Sequence, residues 1–576
     1  MIGPELVQRL GFVPQRAVRW LSPTELARTG LATILAGIFG VYADKREQQD
    51  GRSFDQDVFV HDGQWLDFVA DVGDGFDATY TVASLVAADG LTVEGVDLPR
   101  GEVLVMGGDE VYPSASTVAY EQRTTRPYRA AFPDSAQPAD ANPSAPVLYA
   151  IPGNHDWYDG LTAFLRVFAQ GENVGGWRTA QRRSYFALKL PHRWWVLAID
   201  IQLDTYIDEP QLAYFRRIAA ELSEGDGIIL CTARPSWYDV ADGEGSNSIH
   251  RLEYFARKIV NPTGARIRLI LTGDAHHYAR YTSPETGQTL LTCGIGGAYT
   301  AATHKLTDVI ELGPRLSARE AAAPAPAPAG AATEPAGGFT VTETRSEAAP
   351  TPPSEPDGPP VRYELADATW PPRKTSARLG WGVFKLPFRN LGFWWLTGGA
   401  HAGFLAALIS KSFLWTILWG AIVGGSAVGF TDRIPGTWTR RLRFGIPHAA
   451  VQLALGVTAW MVFRPLTAHW RPLLALLASI PASVLVTGFL SAEIVAAYLL
   501  IASLRRAHLN ELFAAQSIED WKGFARIHIG PDALTVHPIV VAKANRSWVW
   551  RDGRLVAADP LKTQFAERPF SITRSS

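Results

Sequence analysis

Four short apolar runs in the first half of this chain each end in residues that could do chemistry. The clusters are Asp71-Val72-Gly73-Asp74, Gly107-Gly108-Asp109-Glu110, Gly153-Asn154-His155-Asp156 and Gly273-Asp274-Ala275-His276-His277. Carboxylates, an amide oxygen and imidazoles are ligands for divalent cations. An imidazole beside them is also suited to proton transfer near neutral pH. The fullest cluster follows Val147 to Ile151, an apolar run that reads as a buried strand and is ended sharply by Pro152-Gly153. An Asn-Asp turn with a surface histidine would explain that tetrapeptide alone. Four repeats of strand, glycine and acid are not explained that way. Glycine permits the tight turn, and the side chains that follow can converge where open α/β sheets place their chemistry.

Positioning these clusters requires strands. Apolar runs at Leu66–Ala70, Val103–Met106, Val147–Ile151, Trp194–Ile201, Ile228–Thr232, Ile267–Thr272 and Thr289–Cys293 alternate with helical or irregular segments, the pattern of an α/β fold. The chain has 576 residues, too many for one core, so several units are expected. Its formal charge of −2 argues against a nucleic-acid partner held by broad positive charge. Cys231 and Cys293 are the only cysteines, and both lie in apolar runs, as buried free thiols would.

The remainder divides by composition. Residues 1–29 are charged and show no secretory leader, and Gly30 to Ala43 is apolar but short for a membrane span. The first domain is therefore read as 1–312, with an N-terminal extension. Ala-Pro repeats and Pro-Pro pairs mark 313–372 as a disordered linker. Residues 373–506 contain nearly charge-free stretches at about Leu391–Ile409, Phe413–Phe430, Ile446–Phe463 and Leu473–Leu504, read as about four transmembrane helices. Pro481 and Glu493 interrupt the last, which could be one kinked helix or two short passes. With four spans, Arg373 to Arg389, Arg433 to Arg443 and Arg505-Arg506 all fall on the cytoplasmic side, together with both termini. Residues 507–576 read as a small cytoplasmic α/β domain.

Over Leu66 to Tyr299 the ordered motifs resemble those of the calcineurin-like metallophosphoesterases. The resemblance implies an αββα sandwich carrying two divalent metal ions at its strand ends. By that likeness Asp71 binds the first ion, Asp109 bridges both, Asn154 binds the second, and His276 matches the last metal-binding histidine. His155 would protonate the leaving oxygen, oriented by Asp156. Three positions depart from the family pattern. Gly73 and Ala233 stand where histidines are usual, and Asp274 replaces the first histidine of the last motif. Asp274 can still ligate a metal, and Asp74 or Asp77 could fill the gap left at Gly73. A carboxylate-rich site favours Mn²⁺ or Mg²⁺, with Fe or Zn also possible. His304, or a bidentate Arg234, could reach substrate phosphate, although a surface position explains Arg234 equally well and His304 somewhat better. His277 is expected to face away from the metals.

The resulting expectation is hydrolysis of a phosphate mono- or diester, on a phosphorylated small molecule or lipid, by a protein anchored in the bilayer. The alternatives are a degenerate phospho-ligand sensor and a transport protein with a soluble regulatory domain. The scarcity of charge inside the spans speaks against a transporter. No nucleotide loop, dinucleotide fingerprint or serine-nucleophile elbow is present.

Overall fold

The computed structural model describes residues 3–27, 58–133, 145–201, 206–241, 247–313, 316, 359–433, 437–551 and 553–574. The apolar run Gly30 to Ala43 lies outside them, as does most of the expected linker.

Two sheets face one another. Their strands, in chain order, begin with β1 (Val58–Val60), β2 (Trp65–Val69), β3 (Val103–Met106), β4 (Val147–Ala150) and β5 (Arg178–Thr179). Next come β6 (Phe186–Leu190), β7 (Trp194–Ala198), β8 (Gly227–Cys231), β9 (Arg266–Thr272), β10 (Tyr278–Thr282) and β11 (Thr289–Cys293). The last are β12 (Val309–Leu312), β13 (Val361–Trp370), β14 (Lys522–Ile529), β15 (Ala533–Val541), β16 (Thr563–Phe565) and β17 (Phe570–Thr573). One sheet runs β16-β15-β14-β2-β3-β4-β5, with β17 also on β15. The other runs β1-β6-β7-β8-β9-β11-β10-β13-β12. Alternating side chains explain the layering. Leu66, Phe68, Val105 and Tyr149 meet Val196, Ile229, Leu271 and Leu291 in a core between the sheets. The opposite faces are covered by helical residues, Val82, Val86 and Phe164 on one sheet and Phe215, Leu252 and Phe255 on the other. Cys231 and Cys293 are buried and free.

The seven strands expected from the sequence all form. Within the first sheet β2, β3 and β4 are parallel, with Val69 opposite Met106 and Met106 opposite Ala150. In the second, β8 and β9 are parallel, with Cys231 opposite Leu271. Parallel pairing brings the residues after β2, β3 and β4 out at one edge, and those after β8 and β9 out together at theirs.

The domain boundaries need correction. The segment 361–370, assigned to the disordered linker, is the strand β13, which pairs with both β10 and β12. The C-terminal stretch is not a separate small domain, because β14 pairs antiparallel with β2 inside the first sheet. A buried ion pair reinforces that seam. Arg526 donates from Nε and Nη2 to the two oxygens of Asp67 at 2.7 and 2.8 Å. The sandwich therefore closes only when residues from both ends of the chain are present, and the helical region is inserted between β13 and β14.

Within that insertion, Trp438–Leu466 and Leu473–Ser503 are long and apolar enough to cross a membrane. The bundle of four spans is thus met only in part. Phe413–Gly429 has 17 residues, about 26 Å at 1.5 Å per residue, slightly less than a ~30 Å hydrocarbon core. Leu391–Ser410 has 20 residues, but its polarity is raised by Thr397, His401 and four glycines. The last stretch is one element, since Pro472–Ala482 passes through a π turn at Ser483–Thr487 directly into Gly488–Ser503. Small residues allow close packing here: a side chain on Gly488 would collide with the backbone of Gly398.

Candidate metal centre

Asp71, Asp109, Asn154 and Asp274-Ala275-His276 follow β2, β3, β4 and β9, and all line or floor one cleft. Asp71, Asp109 and His276 each present a ligand atom, and these atoms lie within 4.8 Å of one another. Asp71, Asp109, Asp274 and His276 all adopt positive φ, between 49° and 63°. Non-glycine residues hold that left-handed conformation at a cost, and such strain concentrates where side chains must be aimed for function. The loops brace one another. Asp274 and His276 donate backbone N–H bonds to the Asp71 carboxylate at 2.9 and 3.4 Å, and His155 N donates to Asp109 Oδ1 at 2.9 Å.

The electrostatics are those of a site prepared for cations. Asp71 and Asp109 are fully buried. Burial, and next the neighbouring Asp274, holds both well above the usual carboxylate range. Burial also raises Asp274. Among the described residues no lysine or arginine forms an ion pair with Asp71 or Asp109. Two buried carboxylates and the part-buried Asp274 repel each other unless protonated or neutralised by a cation, and their oxygens together with His276 fit a hard or borderline divalent ion. With its nitrogen turned toward Asp109, the Asn154 amide donates to both carboxylate oxygens at 3.1 Å, and its oxygen is the atom it would offer to a cation.

Tyr112 belongs to this cluster although the sequence reading passed over it. Its hydroxyl donates to Asp109 Oδ2 at 3.0 Å and lies 2.9 Å from His276 Nε2. The Asp109-Glu110-Val111-Tyr112 spacing was the available signal. Lys522 on β14 is a second omission. It is buried, donates to Thr300 Oγ1 at 2.8 Å, and is pushed down to about 8 by burial.

Several expected roles change. His155 sits in the cleft, but its orienting partner is the Pro113 carbonyl, 2.7 Å from Nδ1, not Asp156. The carboxylate of Asp156 instead accepts from Gly153 N at 2.8 Å, Glu110 N at 3.3 Å and the Tyr120 hydroxyl, so it ties two strand-end loops together. Burial lowers His155 to about 4, and its ring meets Trp20 edge-on and Tyr112 at a tilt. Asp74 is not among the converging ligand atoms; its Oδ1 accepts from Val18 N at 2.7 Å on the N-terminal segment. Asp77 is engaged by Trp548 Nε1 at 2.8 Å.

The departure at Gly73 has a steric origin. A Cβ on Gly73 would stand 2.3 Å from both the Glu110 carbonyl and Thr124 Oγ1, so no histidine fits there. The methyl of Ala233 abuts Gly108. Arg234 pairs with Asp239 at 2.7 Å and does not line the cleft. His304 bonds Ser376 Oγ at 3.0 Å, also away from it. The cleft's cations are instead Lys305 and Arg506, around a cavity of about 350 Å³. His277 turns from the metal ligands toward the Tyr238 hydroxyl at 3.0 Å, as its place on the strand implied.

No family model and no curated protein matches this chain. Among solved structures, the purple acid phosphatase PPD1 from yellow lupin (Lupinus luteus) seeds aligns at 14% identity, covering 42% of this chain and 46% of that one, with a TM-score of 0.29. PhoD aligns at 11% identity over 41% and 58%, with a TM-score of 0.26. The chain spans about half the length of each of these structures.

Proposed function

We propose that this chain is a metal-dependent phosphoesterase, hydrolysing a phosphate mono- or diester at the strand-end cleft. The observation that carries this reading is the convergence of Asp71, Asp109, Asp274 and His276, with no lysine or arginine ion-paired to Asp71 or Asp109 among the described residues. Asp71, Asp109 and His276 would hold one ion, with Tyr112 beside it. Asp109, Asn154 and Asp274 would serve a second. Bound there, divalent ions supply charge neutralisation at the phosphoryl oxygens and an activated water.

The chain's own groups account for the rest. Lys305 and Arg506 at the mouth attract an anionic substrate. The Pro113 carbonyl accepts the Nδ1 proton of His155, leaving Nε2 to face the cleft and serve the leaving oxygen. A part-buried neutral imidazole needs the substrate's negative charge beside it before it carries the second proton. Trp20, Tyr112 and Tyr299 wall the cleft with aromatic rings and limit water on that side.

Membrane anchoring is part of the proposal. The chain leaves the sandwich after β13 and re-enters it at β14, and a folded sandwich cannot straddle a bilayer, so the insertion must cross an even number of times. That supports two or four spans over five. Large apolar side chains on the helices point outward, Phe413 and Leu414 at 80% and 75% exposure among them, as lipid contact requires. The basic helix ends meet the sandwich: Arg373 pairs with Asp308 at 2.6 Å, and Arg506 bonds Thr307 at 3.1 Å. With positive charge retained inside, the sandwich and C-terminus are cytoplasmic.

The second reading is a phospho-ligand sensor, favoured by Ala233, which withholds a side-chain ligand from the second ion. Turnover separates the two. The full chain in detergent should hydrolyse an aryl phosphate mono- or diester only after Mn²⁺, Mg²⁺, Zn²⁺ or Fe²⁺ is restored to chelator-treated protein. Metal binding without turnover on either ester would leave the sensor.

A further inference from the structure

A second cavity, of about 1070 Å³, opens between Trp438–Leu466 and Gly488–Ser503. Its walls are apolar, with Phe444, Pro447 and Val451 on the first helix and Ile494, Ala497 and Ile501 on the second. At one end it carries Arg440, Arg443 and Arg505 together with Thr437. These residues come from the start of the first helix and the end of the second, which are antiparallel neighbours, so the charges gather at a single level. Arg440 already reaches across the gap to the Arg505 carbonyl at 3.4 Å. The outer rim is open to the surroundings, with Val451, Ile501 and Leu504 at 50%, 64% and 64% exposure.

We propose that this groove binds one anionic glycerophospholipid from the surrounding bilayer, its phosphate on the three arginines and an acyl chain along the apolar walls. The inference rests on the reading above that these helices lie in a membrane. Charge complementarity selects the occupant. A zwitterionic lipid offers a cation to the same arginines and is disfavoured, whereas a soluble phosphate gains nothing from the walls. Basic pockets between spans at the cytoplasmic side are where anionic headgroups are held. The position also matters for the metal centre, because Arg505 lines the groove while its neighbour Arg506 lines the cleft.

Native mass spectrometry of the full chain, titrated in detergent with phosphatidylglycerol or phosphatidylcholine, tests this. The wild type should retain one phosphatidylglycerol in clear preference to phosphatidylcholine. Removing two charges in R440Q/R443Q should weaken phosphatidylglycerol about thirtyfold, at about 1 kcal/mol per cation, and leave phosphatidylcholine nearly unchanged. Filling the groove in A497W should displace both lipids while the arginines remain. K411Q/R471Q, at the opposite helix ends, should behave as wild type. Equal retention of the two lipids by the wild type, or wild-type retention by both groove variants, would overturn the assignment. Alkaline carbonate extraction separates the two levels of failure. A chain that washes off membranes refutes the membrane reading itself, whereas an integral chain without lipid preference refutes only the groove.

Discussion

Asp67 and Asp71 stand four residues apart on one strand and the loop that follows, and both are buried, yet the protein treats them oppositely. Asp67 meets Arg526 through two short charge-assisted bonds, with Gly101 N a further donor at 3.2 Å. Asp71 meets Asp109 and Asp274, with an imidazole and backbone N–H groups but no guanidinium. The first arrangement satisfies its charge with the protein's own atoms and closes a sheet. The second leaves a charge deficit of the size a cation fills. Burial of an acid alone therefore does not mark a site, whereas burial of several acids around a shared space does.

If that contrast is right, changes at the two places should fail differently. The largest effect belongs to the cleft. His155→Ala should lower kcat by about 10²- to 10⁴-fold, the range for a general acid, while metal content measured by plasma emission stays at the wild-type level. Unchanged turnover would remove His155 from the reaction. Next is the seam. Arg526→Met strands Asp67 as an unpaired buried charge and should cost about 3–5 kcal/mol in denaturant unfolding. The paired replacement Asp67→Leu with Arg526→Met should recover most of that loss, because a buried ion pair and well-packed apolar residues are often close in energy. No such recovery is available at Asp71, where the missing partner is not a side chain.

Smaller effects sharpen the boundary of the centre. Tyr112→Phe keeps the ring and removes the hydroxyl shared by Asp109 and His276. It should weaken metal binding about 10- to 100-fold, as loss of a group supporting metal ligands does, read by competition with a chelating dye. Asp74→Asn keeps an acceptor for Val18 N and should change stability by no more than about 1 kcal/mol, with metal content unaltered. Loss of metal in Asp74→Asn would return that residue to the ligand set.

Much of this was legible in the sequence because it is local. Strand, glycine and acid within six residues announce both an element and its chemistry, so the seven strands and the four polar clusters could be named from the residues, while Asp71, Asp109, Asn154, Asp274 and His276 were singled out by the likeness of their motifs to the metallophosphoesterases. What escaped notice depends on distant pairing. Nothing near Lys522–Ile529 says that it lies against Trp65–Val69, and nothing in Val361–Trp370 says that it continues a sheet begun at Val58–Val60. Asp156 was misassigned for a related reason. Adjacency to His155 suggested a partnership, but the turn sends the two side chains in opposite directions, toward Pro113 in one case and toward Tyr120 and the neighbouring loop in the other. Gly73 looked like a lost ligand until packing explained it as a position with no room.

The long-range pairing also decides how the central claim is tested. A chain ending at residue 312 lacks β13, β14 and β15, so the full chain is required. The most direct measurement is tightly bound metal per chain in the wild type and in Asp109→Asn, with Arg526→Met as a buried-charge control, each freed of metal and then reloaded with Mn²⁺. The account predicts stoichiometric metal in the wild type and in the folded fraction of Arg526→Met, and loss of it in Asp109→Asn. Equal metal in the wild type and Asp109→Asn, or no metal in a folded wild type, would contradict it.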